Sequence, residues 1–299
     1  MNFLTALGTA ILALASPSPA RVERNLTYAP HERGQLDVYI PRRPAARRPV
    51  ALFIYGGSWQ SGEKAMYAFV GRALAARGIV TVVADYRVYP QAVYPQFLQD
   101  NAEAAAFVKQ HAAAWGADPA RFYLIGHSAG AYDVAMLALD KRWLAAVGMD
   151  PKQDLAGVIG LSGPYDFLPL RDKTLKIIFG PPETRPATQP IAYASGDAPP
   201  LFVAAGTGDK VVDPGNTTRL AAAVAAKGGQ VDSHLYPDVG HVGVLLAISP
   251  LFRGKAPVLD QMLDFMDIAA AKAPAKEASR APSPRAPSPR APSDGAYAS

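Results

Sequence analysis

The chain has 299 residues, 49% apolar and 18% charged, with a mean hydropathy of +0.03, so it can bury a large core and is neither wholly disordered, collagen-like nor a multi-span membrane protein. It contains no cysteine, which excludes disulfides, thiolate metal sites, a cysteine nucleophile and a lipid-bearing N-terminal cysteine. The formal charge of +5 divides into +4 over residues 21–50, −2 over 51–270 and +3 over 271–299; the basicity therefore lies in the flanks, and no nucleic-acid partner is expected.

Residues 1–20 hold an apolar run from Phe3 to Ala15 followed by Ser16-Pro17-Ser18-Pro19-Ala20, the core and small-residue close of a secretory signal, although no Lys or Arg precedes the run. A cleaved signal and a periplasmic or secreted location are the expectation. An uncleaved membrane-associated helix, or a plain N-terminal helix on a cytoplasmic protein, stands as the alternative. The run is shorter than the roughly 20 apolar residues that span a bilayer, so no stable membrane span is expected.

Residues 21–270 are expected to form one α/β domain. Val50–Tyr55 is a short apolar run closed by Gly56-Gly57, as in a buried parallel strand. A helix over Ala65–Arg77 leads to a second strand at Ile79–Ala84, and residues 96–115 carry apolar residues at helical spacing up to Gly116. Strands follow at Arg121–Ile125, Leu155–Leu161, Leu201–Ala205 and Val231–Tyr236, with helices at 129–140 and 257–271. This alternation predicts a mostly parallel, doubly wound sheet flanked by helices, with working residues beyond the carboxyl ends of the strands. From residue 271 on, the repeated Ala-Pro-Ser-Pro-Arg at 281–285 and 286–290 removes amide donors and core formers, which predicts a disordered tail.

Between the third strand and its helix stands Gly126-His127-Ser128-Ala129-Gly130, a Gly-x-Ser-x-Gly in the strand–turn–helix setting of a nucleophile elbow. A serine on so sharp a turn is backbone-strained, and side chains two positions either side would clash. The alternative is a glycine-rich turn with a helix-capping serine. Serine needs a histidine base steadied by a carboxylate. Of five histidines, His31 and His111 precede the serine, His127 is its neighbour, and His234 sits within a strand; His241 follows the last strand in a loop and is the expected base. Asp209, in the loop after Leu201–Ala205, is the favoured acid. Asp166 is the rival, and Asp213 reads as a turn residue. Tyr55-Gly56-Gly57-Ser58-Trp59 ends the first of these strands, and the amides of Gly57, Ser58 and Ala129 are the candidate oxyanion donors.

Together with Leu36-Asp37-Val38-Tyr39 and Asp85-Tyr86-Arg87, these motifs resemble the α/β-hydrolase superfamily, in its carboxylesterase and hormone-sensitive-lipase-like branch, which includes feruloyl-esterase-like and kynurenine-formamidase-like enzymes. The resemblance runs from about Tyr28 to Asp267. It implies the α/β-hydrolase fold with a small insertion after the sixth strand, a Ser128–Asp209–His241 triad, no cofactor or metal, and a small-molecule ester substrate. The family usually has His before the paired glycines, where this chain has Tyr55. Trp59, Tyr165 and Phe167 are candidate pocket residues, either capping an acyl pocket or packing the Pro-rich loop on the sheet. An arylformamide hydrolase with the same triad, and an inactive binding protein on the same fold, are the alternatives to an esterase.

Overall fold

The computed structural model describes residues 20–43, 45 and 47–272. The export signal expected over residues 1–20, save Ala20, and the tail expected from 271, save Ala271 and Lys272, lie outside the described residues.

Eight strands, β1 (Ala20–Thr27), β2 (Gln35–Pro41), β3 (Arg48–Ile54), β4 (Val80–Ala84), β5 (Ala117–His127), β6 (Gly157–Leu161), β7 (Leu201–Gly206) and β8 (Val231–Tyr236), pair in the order β1-β2-β4-β3-β5-β6-β7-β8. From β4 across to β8 every pairing is parallel, whereas β1 and β2 run antiparallel. β4, β6 and β7 are buried at every residue, because helices cover both faces and no polar face is needed. The expected mostly parallel sheet flanked by helices is present. So is the insertion after β6, built from a helix at Lys173–Ile178 and two 3-10 turns at Arg185–Thr188 and Pro190–Tyr193.

Four expectations of local structure are corrected. The helix expected over Ala65–Arg77 is a 3-10 turn at Lys64–Tyr67 followed by a helix at Ala68–Ala75. The strand expected at Arg121–Ile125 extends over Ala117–His127. Residues 96–115 split into a helix Gln96–His111 and a 3-10 turn ended by left-handed Gly116. The strand expected from Leu155 starts at Gly157, because Asp150 caps a one-turn helix over Pro151–Asp154.

β1 and β2 were not anticipated as strands. β1 alternates charged and apolar residues along the edge of the sheet, where charge discourages pairing with another chain. β2 interrupts its apolar run with Asp37, which is buried yet paired: Lys64 Nζ and Arg24 Nη1 each lie 3.0 Å from its carboxylate, and the Asn25 amide donates to it at 3.0 Å. Those partners come from β1 and from the 3-10 turn at Lys64–Tyr67, so a local hydrophobic pattern cannot reveal them.

Parallel pairing puts the carboxyl ends of β3, β5, β7 and β8 at one edge of the sheet. In register, Ile54 faces Gly126 and Gly206 faces Tyr236. Among the described residues no helix is long and apolar enough to cross a membrane.

Candidate active site

Ser128 leaves β5 at φ 57° and ψ −122°, outside the regions an L-residue favours. The turn closes only because its flanks are glycines. A Cβ on Gly126 would lie 2.2 Å from the Gly130 carbonyl oxygen, and one on Gly130 would lie 2.0 Å from that of Ile54. The Ser128 amide donates to the Leu161 carbonyl of β6, and the Ser128 carbonyl accepts from the amides of Ala131 and Tyr132 as the helix Ala129–Leu139 begins.

His241 is the first residue of a short helix, His241–Leu246, after β8. Its Nε2 lies 2.9 Å from Ser128 Oγ, and its Nδ1 lies 2.7 Å from Asp209 Oδ2. The loops after β7 and β8 are stitched together to hold this spacing. Thr207 N donates to Tyr236 O, Gly208 N to Val239 O, and Asp238 N to Thr207 Oγ1. A side chain at Gly206 could not fit, since its Cβ would meet Val239 O at 1.9 Å.

Asp209 is fixed from both sides. Oδ1 accepts from the amides of Val211 and Val212 at 2.9 and 3.0 Å, while Oδ2 faces His241. Burial pushes its carboxyl up, but the His241 hydrogen bond and the two amides outweigh that and hold it below the usual carboxylate value. Asp166, the rival acid, lies elsewhere. Its Oδ2 accepts from Arg219 Nε at 2.6 Å and its side chain is 36% exposed. Asp213 Oδ1 accepts from the Gly215 amide two residues on, in the turn before the next helix, and its Oδ2 accepts from Arg219.

The other histidines are engaged away from Ser128, save one. His31 stands 3.6 Å from Asp100, His111 bonds the Phe107 carbonyl, and His234 pairs with Asp232. His127 is the exception. Its Nε2–H donates to the His241 carbonyl at 3.1 Å, and its ring lies 4.9 Å from the His241 ring. Burial above all pushes its pKa down to about 3, so it stays neutral. It therefore braces the backbone of His241 without adding charge. The sequence placed it beside Ser128 but held no sign of this contact, 114 residues along the chain.

The loop after β3 carries consecutive positive φ values of 138° at Gly57, 55° at Ser58 and 56° at Trp59. Among the described residues, the amides of Gly57, Ser58 and Ala129 have no protein acceptor. A Cβ on Gly56 would lie 2.7 Å from Ser128 Cβ, so glycine is what lets the loop approach the serine. Tyr55 stands in for the expected His with a bond network of its own. Its hydroxyl donates to Asp85 at 2.8 Å and accepts from Arg33 at 2.7 Å, its ring stacks between Tyr67 and Tyr86, and its carbonyl accepts from the Tyr86 hydroxyl.

Of the candidate pocket residues, Trp59 is 2% exposed, Tyr165 is 0% exposed, and Phe167 is half-buried. Tyr165 packs under the backbone, so tightly that a Cβ on Gly160 would meet its hydroxyl at 2.1 Å. Trp59 sits in an aromatic cluster with Tyr132, Phe167 and Phe179, which ties the insertion after β6 to the sheet. Its Nε1–H donates to Asp133 Oδ1 at 2.9 Å, and Asp133 Oδ2 accepts from Asn101 at 3.1 Å.

Asp133 is wholly buried, and burial raises its pKa well above the usual 3.8 despite those two donors. A carboxyl that keeps its proton in the folded state binds more protons than the unfolded chain, so stability falls as pH rises above about 4. Asp133→Asn is expected to keep the Trp59 bond and remove that slope, read as thermal unfolding against pH. Asp133→Ala orphans both donors and is expected to cost roughly 2–6 kcal/mol.

Among the described residues no group of three His, Asp or Glu side chains is placed to hold a metal ion. Compared with known proteins, the chain matches the BD-FAE family model over residues 36–224. It is 30% identical over 266 residues to a protein of rice (Oryza sativa subsp. japonica) named probable isoprenylcysteine alpha-carbonyl methylesterase, covering 82% of this chain and 62% of that one. It therefore spans about three fifths of that relative's length. A kynurenine formamidase of Salmo salar is 30% identical over 147 residues, 49% of this chain and 47% of that one. The crystal structure of esterase B from Lactobacillus rhamnosis superimposes with a TM-score of 0.76 at 18% identity, covering 89% of this chain and 91% of the other, a likeness of fold.

Proposed function

The chain belongs to the BD-FAE family, of α/β-hydrolase fold, and from that membership we propose that it is a serine hydrolase that cleaves carboxylic esters of short acyl or aryl groups through an acyl-enzyme on Ser128. The observation that carries this reading is the continuous Ser128–His241–Asp209 hydrogen-bond chain, at 2.9 and 2.7 Å. His241 Nε2 takes the Ser128 proton as Oγ attacks the ester carbonyl carbon. The amides of Gly57, Ser58 and Ala129 receive the oxyanion, and His241 passes its proton to the departing alcohol. Water then loses a proton to His241, attacks the acyl-enzyme and releases the acid as the proton returns to Oγ. Asp209 stays ionised, its carboxyl being held below the usual range, and keeps His241 Nδ1–H directed toward itself.

The insertion supports a small substrate. Phe179, packed edge-on to Trp59 at 4.8 Å, is 1% exposed, so the insertion fills space beside the loop that carries the candidate oxyanion donors. A second reading, hydrolysis of aryl formamides, uses the same groups and draws on the likeness to the fish kynurenine formamidase. A panel of p-nitrophenyl esters from acetate to dodecanoate, with aryl methyl esters and N-formylanilides, tests both. The expected result is highest kcat/KM on the shortest or aryl esters, at least about tenfold above the formamides. Higher turnover of formamides would establish the second reading, and no turnover of any member would remove both.

A further inference from the structure

Residues 55–63 join β3 to the 3-10 turn at Lys64–Tyr67, and within them Ser58 and Trp59 hold a positive φ that persists only where the surroundings over-determine it. The amides to be aimed are those of Gly57 and Ser58. In a trans peptide the N–H points opposite to the carbonyl of the residue before it, so an amide is aimed by whatever holds that carbonyl. Gly56 O accepts from the Tyr67 hydroxyl at 3.3 Å, and Gly57 O accepts from the amides of Gln60 and Ser61 at 3.0 and 3.2 Å. These bonds set the two peptide planes within the loop. The place of the loop on the sheet depends on its ends.

Both ends meet at Arg33, in the connection between β1 and β2. Its Nη2 donates to the Tyr55 hydroxyl at 2.7 Å, where the loop leaves β3, and to the Gly62 carbonyl at 2.5 Å, where the loop closes. Its Nε donates to the Tyr86 carbonyl at 2.7 Å, beyond the end of β4, which ties the same guanidinium to the sheet. Asp85 completes the clamp: its Oδ1 accepts from the Tyr55 hydroxyl at 2.8 Å and from the Lys64 amide at 2.7 Å. Gly62 lies so close to the Tyr55 ring that a Cβ there would meet Cε2 at 2.7 Å, and the other contact of that ring is the stacked Tyr67, whose hydroxyl holds Gly56 O. We propose that Arg33 is a positioning residue for ester hydrolysis, fixing through Tyr55 and Gly62 the loop whose Gly57 and Ser58 amides receive the oxyanion. The proposal rests on the acyl-enzyme reading of Ser128.

The full-length protein and its Arg33→Met variant are compared on p-nitrophenyl acetate, well below their unfolding temperatures. The variant is expected to lose roughly 10- to 100-fold in kcat with KM within about threefold, because a displaced amide forfeits part of the 10²- to 10³-fold that one oxyanion donor supplies. An aryl trifluoromethyl ketone gives a readout that a purely structural role would not move. Ser128 Oγ adds to the ketone carbon, its proton passes to His241, and the carbonyl oxygen becomes an oxyanion at the same amides. The inhibition constant should therefore rise by about the factor by which kcat/KM falls. Tyr55→Phe keeps the stacked ring and drops the hydroxyl; it should show the same pair of changes, with little further loss when combined with Arg33→Met. If Arg33→Met does not fold, as read by circular dichroism, Tyr55→Phe and Arg33→Lys decide the question, the lysine losing at least about fivefold in kcat because an ammonium lacks the planar fork. A lower unfolding temperature with kcat and ketone affinity within about twofold of wild type overturns the proposal and leaves the esterase reading standing. Wild-type protein that neither hydrolyses the ester nor binds the ketone overturns both.

Discussion

Ser128→Ala is expected to lower kcat on p-nitrophenyl acetate by roughly 10⁴- to 10⁶-fold with KM little changed, and the Ser128→Ala, His241→Ala double variant should be no slower than either single one. The reason for the non-additivity is in the geometry. Oγ and Nε2 share one 2.9 Å hydrogen bond, so either loss removes the same event, the transfer of one proton during attack. The amides of Gly57, Ser58 and Ala129, the candidate oxyanion donors, survive both changes and are expected to set the residual rate. Stability separates this effect from misfolding. Ser128 holds φ 57°, a strain that alanine inherits and glycine relieves. Ser128→Gly should therefore be as inactive as Ser128→Ala but melt higher, by a stability difference of about 1–3 kcal/mol. A rate within tenfold of wild type in either variant would sink the assignment of Ser128 as nucleophile.

What the sequence could disclose depended on how far apart the cooperating atoms stand along the chain. The elbow is a local steric problem: the 2.2 and 2.0 Å clashes that forbid side chains at Gly126 and Gly130 leave a glycine spacing that can be read directly. The parallel core was equally open, since strands covered on both faces must be apolar throughout. By contrast, β2 hides behind Asp37, whose charge is matched by Lys64 and Arg24. The paired glycines of the β3 loop are visible, but the positive φ at Ser58 and Trp59 is not. Trp59 is tied to Asp133, 74 residues away, by its indole N–H, a contact that no local pattern discloses. Arg48 is the extreme case. In sequence it is one of seven arginines in a basic lead of thirty residues, and only folding reveals that its Nε and Nη2 are buried with no acceptor among the described residues.

Asp209→Asn is expected to lower kcat by about 10⁴-fold, while Asp166→Asn stays within a few-fold of wild type. Two backbone amides converge on Asp209 Oδ1, so an asparagine here must keep its oxygen toward Val211 and Val212; the flipped amide would aim its own N–H groups at theirs. Its NH₂ is then forced to face His241 Nδ1. That nitrogen must become an acceptor, which moves the ring proton to Nε2 and presents Ser128 with a donor where a base is required. Asp166 has no such leverage, being an exposed partner of Arg219, and its loss should cost less than about 1 kcal/mol. The pH dependence of stability gives a second readout. The folded-state pKa of Asp209 lies below the usual 3.8, so its stabilising contribution is present above that value and is lost as pH falls through the folded value. Asp209→Asn should flatten that part of the acid limb in thermal unfolding, and Asp166→Asn should not. A larger loss of turnover in Asp166→Asn than in Asp209→Asn would move the acid to the loop after β6.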